Sequence, residues 1–301
     1  MSNSVSSPAG EAETSRLHLS AHGFDMNITP AFGGRIDRLS YLGQDILAPR
    51  QRLTDPDPLD AGSFALVPFS NRIRNGQFSH EGRTYTLPPN WTGDANAIHG
   101  EGWQRTWHVT QLEEDRISLY LQGTDWWPWR YECEQHIRFR EAGVDFSLSL
   151  TNRDTQSMPA GLGFHPYFPR TGNTQISFAA EAVWPPMSDG PLHAQDISGA
   201  TRFSEPKQLD GLVLDHCFEG WRGPATILQP DHGLALQLTA QGAPGFCMLY
   251  VPDGPDFFCF EPVSHLTGAF ELKDRSRTGL ACLEPWERLD FTMSIGIREL
   301  F

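Results

Sequence analysis

The stretch that decides the fold is residues 131–151, which read YECEQHIRFREAGVDFSLSLT. On its first arm the apolar residues occupy odd-numbered positions, and on its second arm they occupy every second position from Val144 to Leu150. Residues 141–143, Glu-Ala-Gly, separate the two arms. Because successive side chains of a strand point to opposite faces, this pattern predicts a β-hairpin with one buried face.

The same period of two recurs along most of the chain. It predicts further hairpins at residues 78–87, 107–121 and 227–238, and a late strand at 289–297. No window of 15 residues keeps an apolar stripe of helical period with caps at both ends. The chain is therefore expected to be all-β, with two large antiparallel sheets packed face to face.

Domain organisation follows from the segments that interrupt the strands. The Pro-rich stretches at residues 55–60, 184–192 and 252–255 are too short for domain linkers. We therefore expect a single domain over residues 16–301. Residues 1–15 are rich in Ser, Ala, Gly and Glu, and are expected to form a flexible tail.

Charge and composition exclude several classes of protein. The 301 residues carry 37 acidic and 23 basic side chains, a formal charge of −14. Nucleic-acid binding is not expected, because phosphate affinity comes from clustered Lys and Arg. No stretch approaches the roughly 18 apolar residues of a membrane span. The N-terminus lacks a secretory signal, so the predicted compartment is cytoplasmic. The five scattered cysteines form no CxxC pair and are expected to be reduced thiols.

Two segments carry residues suited to proton transfer. His165 lies in GLGFHPYF (161–168), where Pro166 restrains the backbone and two glycines permit close approach. A held imidazole suits proton transfer, although a packed strand end is an alternative. Glu261 ends the aromatic run of FFCFEPV (257–263). Burial there would raise the pKa of its carboxyl, and an unpartnered buried glutamate is costly, which favours a function.

Three other segments offer polar groups for a ligand. Asn71 and Arg72, in FSNRIRNG (69–76), could bind vicinal hydroxyls or could brace a loop. For His99, in NAIHG, a structural role is the alternative. Asp215 interrupts the apolar segment LDHCF. Four tryptophans could stack on sugar rings, although core packing is favoured: Trp91, Trp126, Trp127 and Trp129.

Metal and cofactor motifs are not found. His99, His165 and Glu261 show no short HxH or HxxxH spacing, and residues 55–60 lack the ligand spacing of a calcium loop. The sequence has no G-x-G-x-x-G after a strand, no P-loop and no G-x-S-x-G. We therefore predict neither a metal nor a nucleotide cofactor.

Five motifs in one order resemble the aldose 1-epimerase (galactose mutarotase) family. They are NRIRNGQF, NAIHG, GFHPYF, LDHCF and FCFEPV, within a resemblance that runs from about Gly33 to Ile297. The resemblance implies a large antiparallel β-supersandwich with an open cleft. It also implies a cofactor-independent isomerase of carbohydrate metabolism, which interconverts the α and β anomers of a free aldose.

The resemblance also implies a role for each matching residue. It implies that Glu261 is the general base and His165 the general acid. The positions that hold sugar hydroxyls are Asn71, Arg72, His99, Tyr167 and Asp215. The chain departs from the family at Met248, where many members have Gln, so an amide hydrogen bond is lost and galactose itself is in doubt.

Two other functions remain open. The lost amide could mark a sugar-binding or sensing module without turnover. A hexose-6-phosphate epimerase of similar fold would need a basic pocket, for which Arg35, Arg72 and Arg74 are candidates. A glycosidase is disfavoured, because it needs paired carboxylates and Asp215 matches a binding position. The expected partner is a small monosaccharide, and the chain is expected to be a monomer or a homodimer.

Overall fold

The computed structural model describes residues 16–50, 62–189, 192–242 and 245–300. The predicted tail at residues 1–15 and the Pro-rich stretch at 55–60 lie outside the described residues. The division into tail and domain therefore stays a prediction.

The described residues form strands joined by loops and five single-turn 3₁₀ helices. The strands, in chain order, are β1 (Leu17–Ala21), β2 (Phe24–Thr29), β3 (Arg35–Tyr41), β4 (Gln44–Leu47), β5 (Ala65–Leu66), β6 (Arg72–Ile73), β7 (Gln77–His80), β8 (Arg83–Thr86), β9 (Ala97–Ile98), β10 (His108–Leu112), β11 (Arg116–Gln122), β12 (Tyr131–Arg140), β13 (Gly143–Asn152), β14 (Met158–Ala160), β15 (Gly163–Phe164), β16 (Tyr167–Pro169), β17 (Gln175–Ser177), β18 (Ala182–Trp184), β19 (Lys207–Gln208), β20 (Leu214–Glu219), β21 (Ala225–Gln229), β22 (Leu234–Gln241), β23 (Phe246–Val251), β24 (Phe257–Val263), β25 (Ala281–Leu283) and β26 (Arg288–Glu299). The 3₁₀ helices span Arg74–Gly76, Gly102–Gln104, Met187–Asp189, Gly199–Thr201 and Pro230–His232. Within the described ranges, no helix is long and apolar enough to cross a membrane.

Two large antiparallel sheets dominate the architecture. One has nine strands in the order β10-β11-β12-β13-β26-β22-β21-β17-β19. The other has seven, in the order β18-β20-β23-β24-β15-β5 with β16 also paired to β24. Strands β1 to β4 form a smaller third sheet. The prediction of an all-β protein with two large antiparallel sheets is confirmed.

The hairpin at residues 131–151 forms as its sequence predicts. Strands β12 and β13 pair in register, with Ile137 opposite Phe146 and Cys133 opposite Leu150. All four of these side chains are buried. The other predicted hairpins correspond to β7-β8, β10-β11 and β21-β22, and the late strand is β26. The apolar period of two therefore located these elements correctly.

The seven-stranded sheet separates two groups of buried side chains. Leu249, Phe258 and Phe260 belong to the main core, which they share with residues of the nine-stranded sheet such as Phe146. A second, smaller cluster on the other face includes Tyr167, Cys217, Met248 and Cys259. Because side chains alternate along β24, the strand that buries Phe258 and Phe260 presents Glu261 on the open face. This open face carries the candidate site.

We expect Phe146→Ala to destabilise the fold strongly. Phe146 is fully buried, and its ring centroid lies 5.9 Å from that of Phe164, the neighbour of His165 in the chain. Truncation of a buried Phe costs about 3–5 kcal/mol of unfolding free energy. Leu112→Ala, at an exposed position of β10, is the control and should change it by less than about 0.5 kcal/mol. Urea denaturation checks both values, and equal losses would contradict this account of the core.

Candidate active site

The floor of the site is built by strand register on the open face of the seven-stranded sheet. Residues that are partners across antiparallel strands place their side chains side by side on one face. Two such rows run across β20, β23 and β24: Cys217, Met248 and Glu261 in the first, and Asp215, Tyr250 and Cys259 in the second, which continues to Tyr167 on β16. Register thus brings together residues that are far apart in the sequence.

His165 is held against this floor beside Glu261. Its Nε2 lies 3.4 Å from Oε1 of Glu261, and both side chains are buried. The imidazole packs against two aromatic rings, with centroid distances of 4.8 Å to Phe64 and 4.7 Å to Tyr167. The backbone N–H of His165 donates to the carbonyl of Phe64 at 3.0 Å. Both the ring plane and the backbone of His165 are therefore fixed relative to the carboxyl.

Burial controls the protonation of this pair. It raises the pKa of the Glu261 carboxyl well above 4.5, and the nearby charge of Asp215 adds to the rise. It lowers the pKa of the His165 imidazole to about 3. The second proton of the pair is thus lost at low pH, near the His165 pKa of about 3, and the last proton is lost well above pH 4.5. Between these two limits the pair holds one proton.

Asn71 and His99 hold each other at the rim. The backbone N–H of Asn71 donates to Nδ1 of His99 at 3.0 Å, and the backbone N–H of His99 donates to the carbonyl of Asn71 at 2.8 Å. Both residues have a positive φ, 59° and 58°, a left-handed backbone conformation that costs free energy in residues other than glycine and that the surrounding contacts must hold. Burial, followed by His165 and Arg72, lowers the pKa of His99 well below 6.5. The neutral ring, with Nδ1 accepting, carries its proton on Nε2 and is a donor.

All seven predicted site residues line one cleft of about 350 Å³. They are Asn71, Arg72, His99, His165, Tyr167, Asp215 and Glu261. The cleft is the size of a small-molecule site. The structure thus brings these side chains together, while the role of each stays a prediction.

Aromatic walls complete the cleft. Of the four candidate tryptophans, Trp91 lines it, whereas Trp127 and Trp129 are buried in the main core. Tyr250 and Phe257 also line it and were missed by the sequence analysis. Their signal was the strand period, because Phe257 shares a face with Glu261 and Tyr250 lies opposite Cys259. These rings offer apolar faces on which a sugar can stack.

The three candidate arginines each have a carboxylate partner. Nε of Arg72 donates to Asp94 at 2.9 Å, and Nε of Arg74 donates to Glu271 at 3.2 Å. Burial alone would raise the pKa of Asp94, but hydrogen bonds, first that from Arg72, bring it below 3.8. Arg35 is buried and donates to Asp37 at 3.0 Å, and it does not line the cleft. Its interpretation as a phosphate ligand is therefore wrong.

His265 is a structural residue that the sequence did not single out. Its Nε2 accepts the backbone N–H of Ser70 at 3.0 Å, and its Nδ1 donates to the carbonyl of Leu266 at 2.9 Å. A Cβ on Gly161 would lie 1.9 Å from its ring, so only glycine fits there. Burial lowers the pKa of His265 to about 4, so it stays neutral. It thereby anchors the segment that leads to Asn71.

One group of side chains could hold a metal ion. The ligand atoms of His165, Cys259 and Glu261 lie within 4.8 Å of one another, and all three residues are buried. A metal would have to displace the thiol proton, because burial raises the pKa of Cys259 well above 9. It would also occupy both groups that are suited to proton transfer. The arrangement therefore fits proton transfer better than metal binding.

Comparison with known proteins identifies relatives along almost the whole chain. A family model described as aldose 1-epimerase matches residues 17–295. The chain is 31% identical over 252 residues to the uncharacterized protein YphB of Escherichia coli strain K12, covering 80% of this chain and 85% of YphB. A crystal structure from Escherichia coli K12 has a TM-score of 0.88 at 28% identity and covers 95% of this chain and 99% of its own. A galactose mutarotase-like protein from Clostridium acetobutylicum has a TM-score of 0.86 at 18% identity, with 96% of each chain covered.

We expect Glu261→Gln to stabilise the free protein above about pH 5. Below the ordinary pKa of 4.5 the carboxyl is protonated in both the folded and the unfolded chain, so the variant changes little. At higher pH the unfolded chain ionises first, so the stability of the wild type falls as pH rises toward the raised folded pKa. At pH 8 the unfolding free energy of the variant should therefore exceed that of the wild type, and the difference should be larger than at pH 5.

Urea denaturation at pH 5 and at pH 8 checks this expectation. The control is Glu141→Gln, in the exposed turn of the β12-β13 hairpin, which should behave alike at both pH values. A difference between Glu261→Gln and wild type that does not grow with pH would show that the carboxyl is not destabilised by burial.

Proposed function

This chain belongs to the aldose 1-epimerase family, and we propose that it interconverts the α and β anomers of a free aldose by opening and re-closing the sugar ring. The observation that carries the proposal is the contact between His165 and Glu261, 3.4 Å apart in a cleft lined by five further polar or aromatic candidates. A monosaccharide presents the hydroxyls and the apolar ring faces that such a cleft can bind.

The proposed reaction moves two protons. Glu261 takes the proton of the C1 hydroxyl while His165 gives a proton to the ring oxygen O5, so that the C1–O5 bond breaks and the C1 aldehyde forms. After rotation about C1–C2, the ring oxygen attacks the other face of the aldehyde. His165 takes its proton back and Glu261 returns one to O1. The reacting form of the pair carries its proton on His165 with Glu261 ionised, and the cycle restores that form, so no cofactor is required for balance. In the free protein the raised pKa of Glu261 and the lowered pKa of His165 favour the proton on Glu261, so the reacting form is the less populated arrangement of the same proton.

The other cleft residues have roles in binding. Neutral His99 donates through Nε2, Asn71 and Arg72 supply amide and guanidinium donors, and Asp215 accepts from sugar hydroxyls. Met248 lies next to Glu261 in the floor of the cleft. Its Sδ is a weak acceptor, which receives the hydrogen bond of Nδ2 of Asn71 at 3.7 Å. The floor therefore favours an aldose that presents a C–H rather than a hydroxyl at this point.

The two rival functions have less support. A binding module does not need a buried acid beside a buried imidazole, an arrangement that costs folding free energy. A hexose-6-phosphate epimerase needs an excess of positive charge for the phosphate. Here Arg72 and Arg74 each have a carboxylate partner, and Asp215 adds a further acidic group. The geometry therefore favours a neutral sugar.

Mutarotation assays test the proposal directly. The wild type should accelerate the approach to anomeric equilibrium of at least one freshly dissolved α-aldose among galactose, glucose, arabinose, xylose and fucose, followed by polarimetry. Glu261→Gln and His165→Asn should each lower kcat by about 10²–10⁴, the usual contribution of general acid–base catalysis. Glu141→Gln is the matched control and should retain wild-type rates. No acceleration for any of the five sugars would refute the proposal.

The pH dependence follows from the shared proton. Activity should be lost when the pair gains a second proton, near the His165 pKa of about 3, and when it loses its last one, well above pH 4.5. Because the pKa of His165 lies near 3, kcat/KM should not fall as the pH is lowered from about 7 to about 5, where an ordinary imidazole would gain its second proton. Exchange NMR between the two anomers, corrected for the rate in buffer, measures kcat/KM at each pH. A fall in kcat/KM over this range would contradict the assignment of the proton to this pair.

A further inference from the structure

His99 lies in a tight turn directly after β9 (Ala97–Ile98). His99 and Gly100 both have a positive φ, 58° and 68°. At the second position only glycine fits, because a Cβ on Gly100 would lie 2.1 Å from the carbonyl oxygen of Val67. His99 has a Cβ, so its left-handed conformation costs free energy and persists only where neighbouring groups hold it.

The side chain of Asn90 holds the backbone on both sides of His99. Its Nδ2 donates to the carbonyl of Ile98 at 2.8 Å and to the carbonyl of Gly100 at 2.7 Å. Its Oδ1 accepts the backbone N–H of Ile98 at 2.8 Å. The dihedral angles of His99 lie between the two carbonyls that Asn90 bridges. Both N–H donors and the acceptor of one amide are therefore used to hold this turn.

The conformation of this turn also determines the hydrogen bonds of the His99 ring. The backbone N–H of His99 donates to Asn71, and the backbone N–H of Asn71 donates to Nδ1 of His99. The ring lines the cleft and meets that of His165 edge-on, with centroids 5.2 Å apart. A change in the backbone of His99 would break its bonds with Asn71 and release the choice of which ring nitrogen carries the proton.

Asn90 itself is half-buried behind the cleft and is not among the residues that line it. Its carbonyl accepts a hydrogen bond from Nε2 of Gln104 at 2.6 Å. Nε1 of Trp103 also donates to the carbonyls of Ile98 and Gly100, at 3.2 and 2.9 Å. These bonds do not involve the Asn90 side chain, so its truncation leaves the loop attached to the fold.

We infer that Asn90 is a positioning residue, which bridges the carbonyls on either side of His99 and thereby keeps the Nε2–H of that residue available to a bound sugar. The effect on sugar binding rests on the proposed function, whereas the effect on His99 is a property of the free protein. His99 is a binding candidate outside the proton-transfer pair. Loss of its positioning should therefore act on KM rather than on kcat.

Steady-state kinetics test this division. For the aldose that the wild type turns over fastest, Asn90→Ala should raise KM about three- to tenfold, the value of one lost hydrogen bond, and change kcat less than about twofold. Asn90→Asp keeps the acceptor oxygen but loses both donors, so it should raise KM at least as much. An unchanged KM in both variants would overturn the inference.

Asn152→Ala is the matched control. The buried Asn152 also bridges two carbonyls, because its Nδ2 donates to Gln156 at 2.9 Å and to Leu283 at 2.8 Å. It lies at the end of β13 and is not among the residues that line the cleft. The variant should lower stability in urea and keep the wild-type KM. A rise in KM equal to that of Asn90→Ala would show a general effect of lost stability and overturn the inference.

A double-mutant cycle tests whether Asn90 acts through His99. In a His99→Ala background, Asn90→Ala should change KM by less than about twofold, because the side chain that it positions is absent. An equal rise in KM in the wild-type and His99→Ala backgrounds would show that Asn90 acts by another route, which overturns the inference.

The protonation of the His99 ring separates this inference from the proposed function. Long-range ¹H–¹⁵N NMR of the free protein at about pH 7 should show a single Nε2–H tautomer of His99 in the wild type and a mixture of tautomers in Asn90→Ala. The same single tautomer in both proteins would overturn the inference, even where mutarotation is observed. Failure to accelerate any of the five sugars would remove the proposed function, and the NMR comparison would still decide the role of Asn90.

Discussion

The alternation of side chains along β24 is the constraint on which the site depends. Phe258 and Phe260 are fixed in the main core, so Glu261 between Phe260 and Pro262 must face the open side of the sheet. A shift of β24 by one residue in register would move the carboxyl of Glu261 into the aromatic core, where no partner would compensate its desolvation. The hydrophobic packing that stabilises the sandwich therefore also places the carboxyl of Glu261 in the cleft.

The same burial also sets the pKa values of Glu261 and His165. In water, a carboxyl and an imidazole titrate about two pH units apart, so such a pair holds a single proton only within that interval. On the sheet, desolvation lowers the pKa of His165 to about 3 and raises the pKa of Glu261 well above 4.5, and between these limits the pair holds one proton. Rings of Phe64 and Tyr167 hold the imidazole in place and exclude water. Burial of these groups lowers the stability of the fold, and the hydrophobic packing of the large core beneath them offsets this loss.

The sequence analysis predicted the features of the fold and of the site that a local pattern of residues determines. The apolar period of two located the hairpins, because each half-buried strand alternates apolar and polar residues. The ordered motifs identified seven residues that line one cleft. Hydrogen bonds between residues that are distant in the sequence leave no such pattern. Asp94 lies 22 positions from Arg72, and His265 lies 195 positions from Ser70. The sequence analysis took Arg35 as a candidate for phosphate binding. The local pattern does not show that Arg35 and Asp37 are both buried and form an ion pair.

Pairing of the arginines decides what kind of ligand the cleft can select. An unpaired guanidinium attracts any anion, and its flexible side chain loses entropy when it is immobilised. A guanidinium already bound to Asp94 is oriented, and it keeps N–H groups for hydroxyl oxygens without a net positive charge. In the proposed function, discrimination between neutral and phosphorylated sugars is therefore a matter of electrostatics, set by the carboxylates that pair with the arginines, while the shape of the cleft decides which neutral sugar fits.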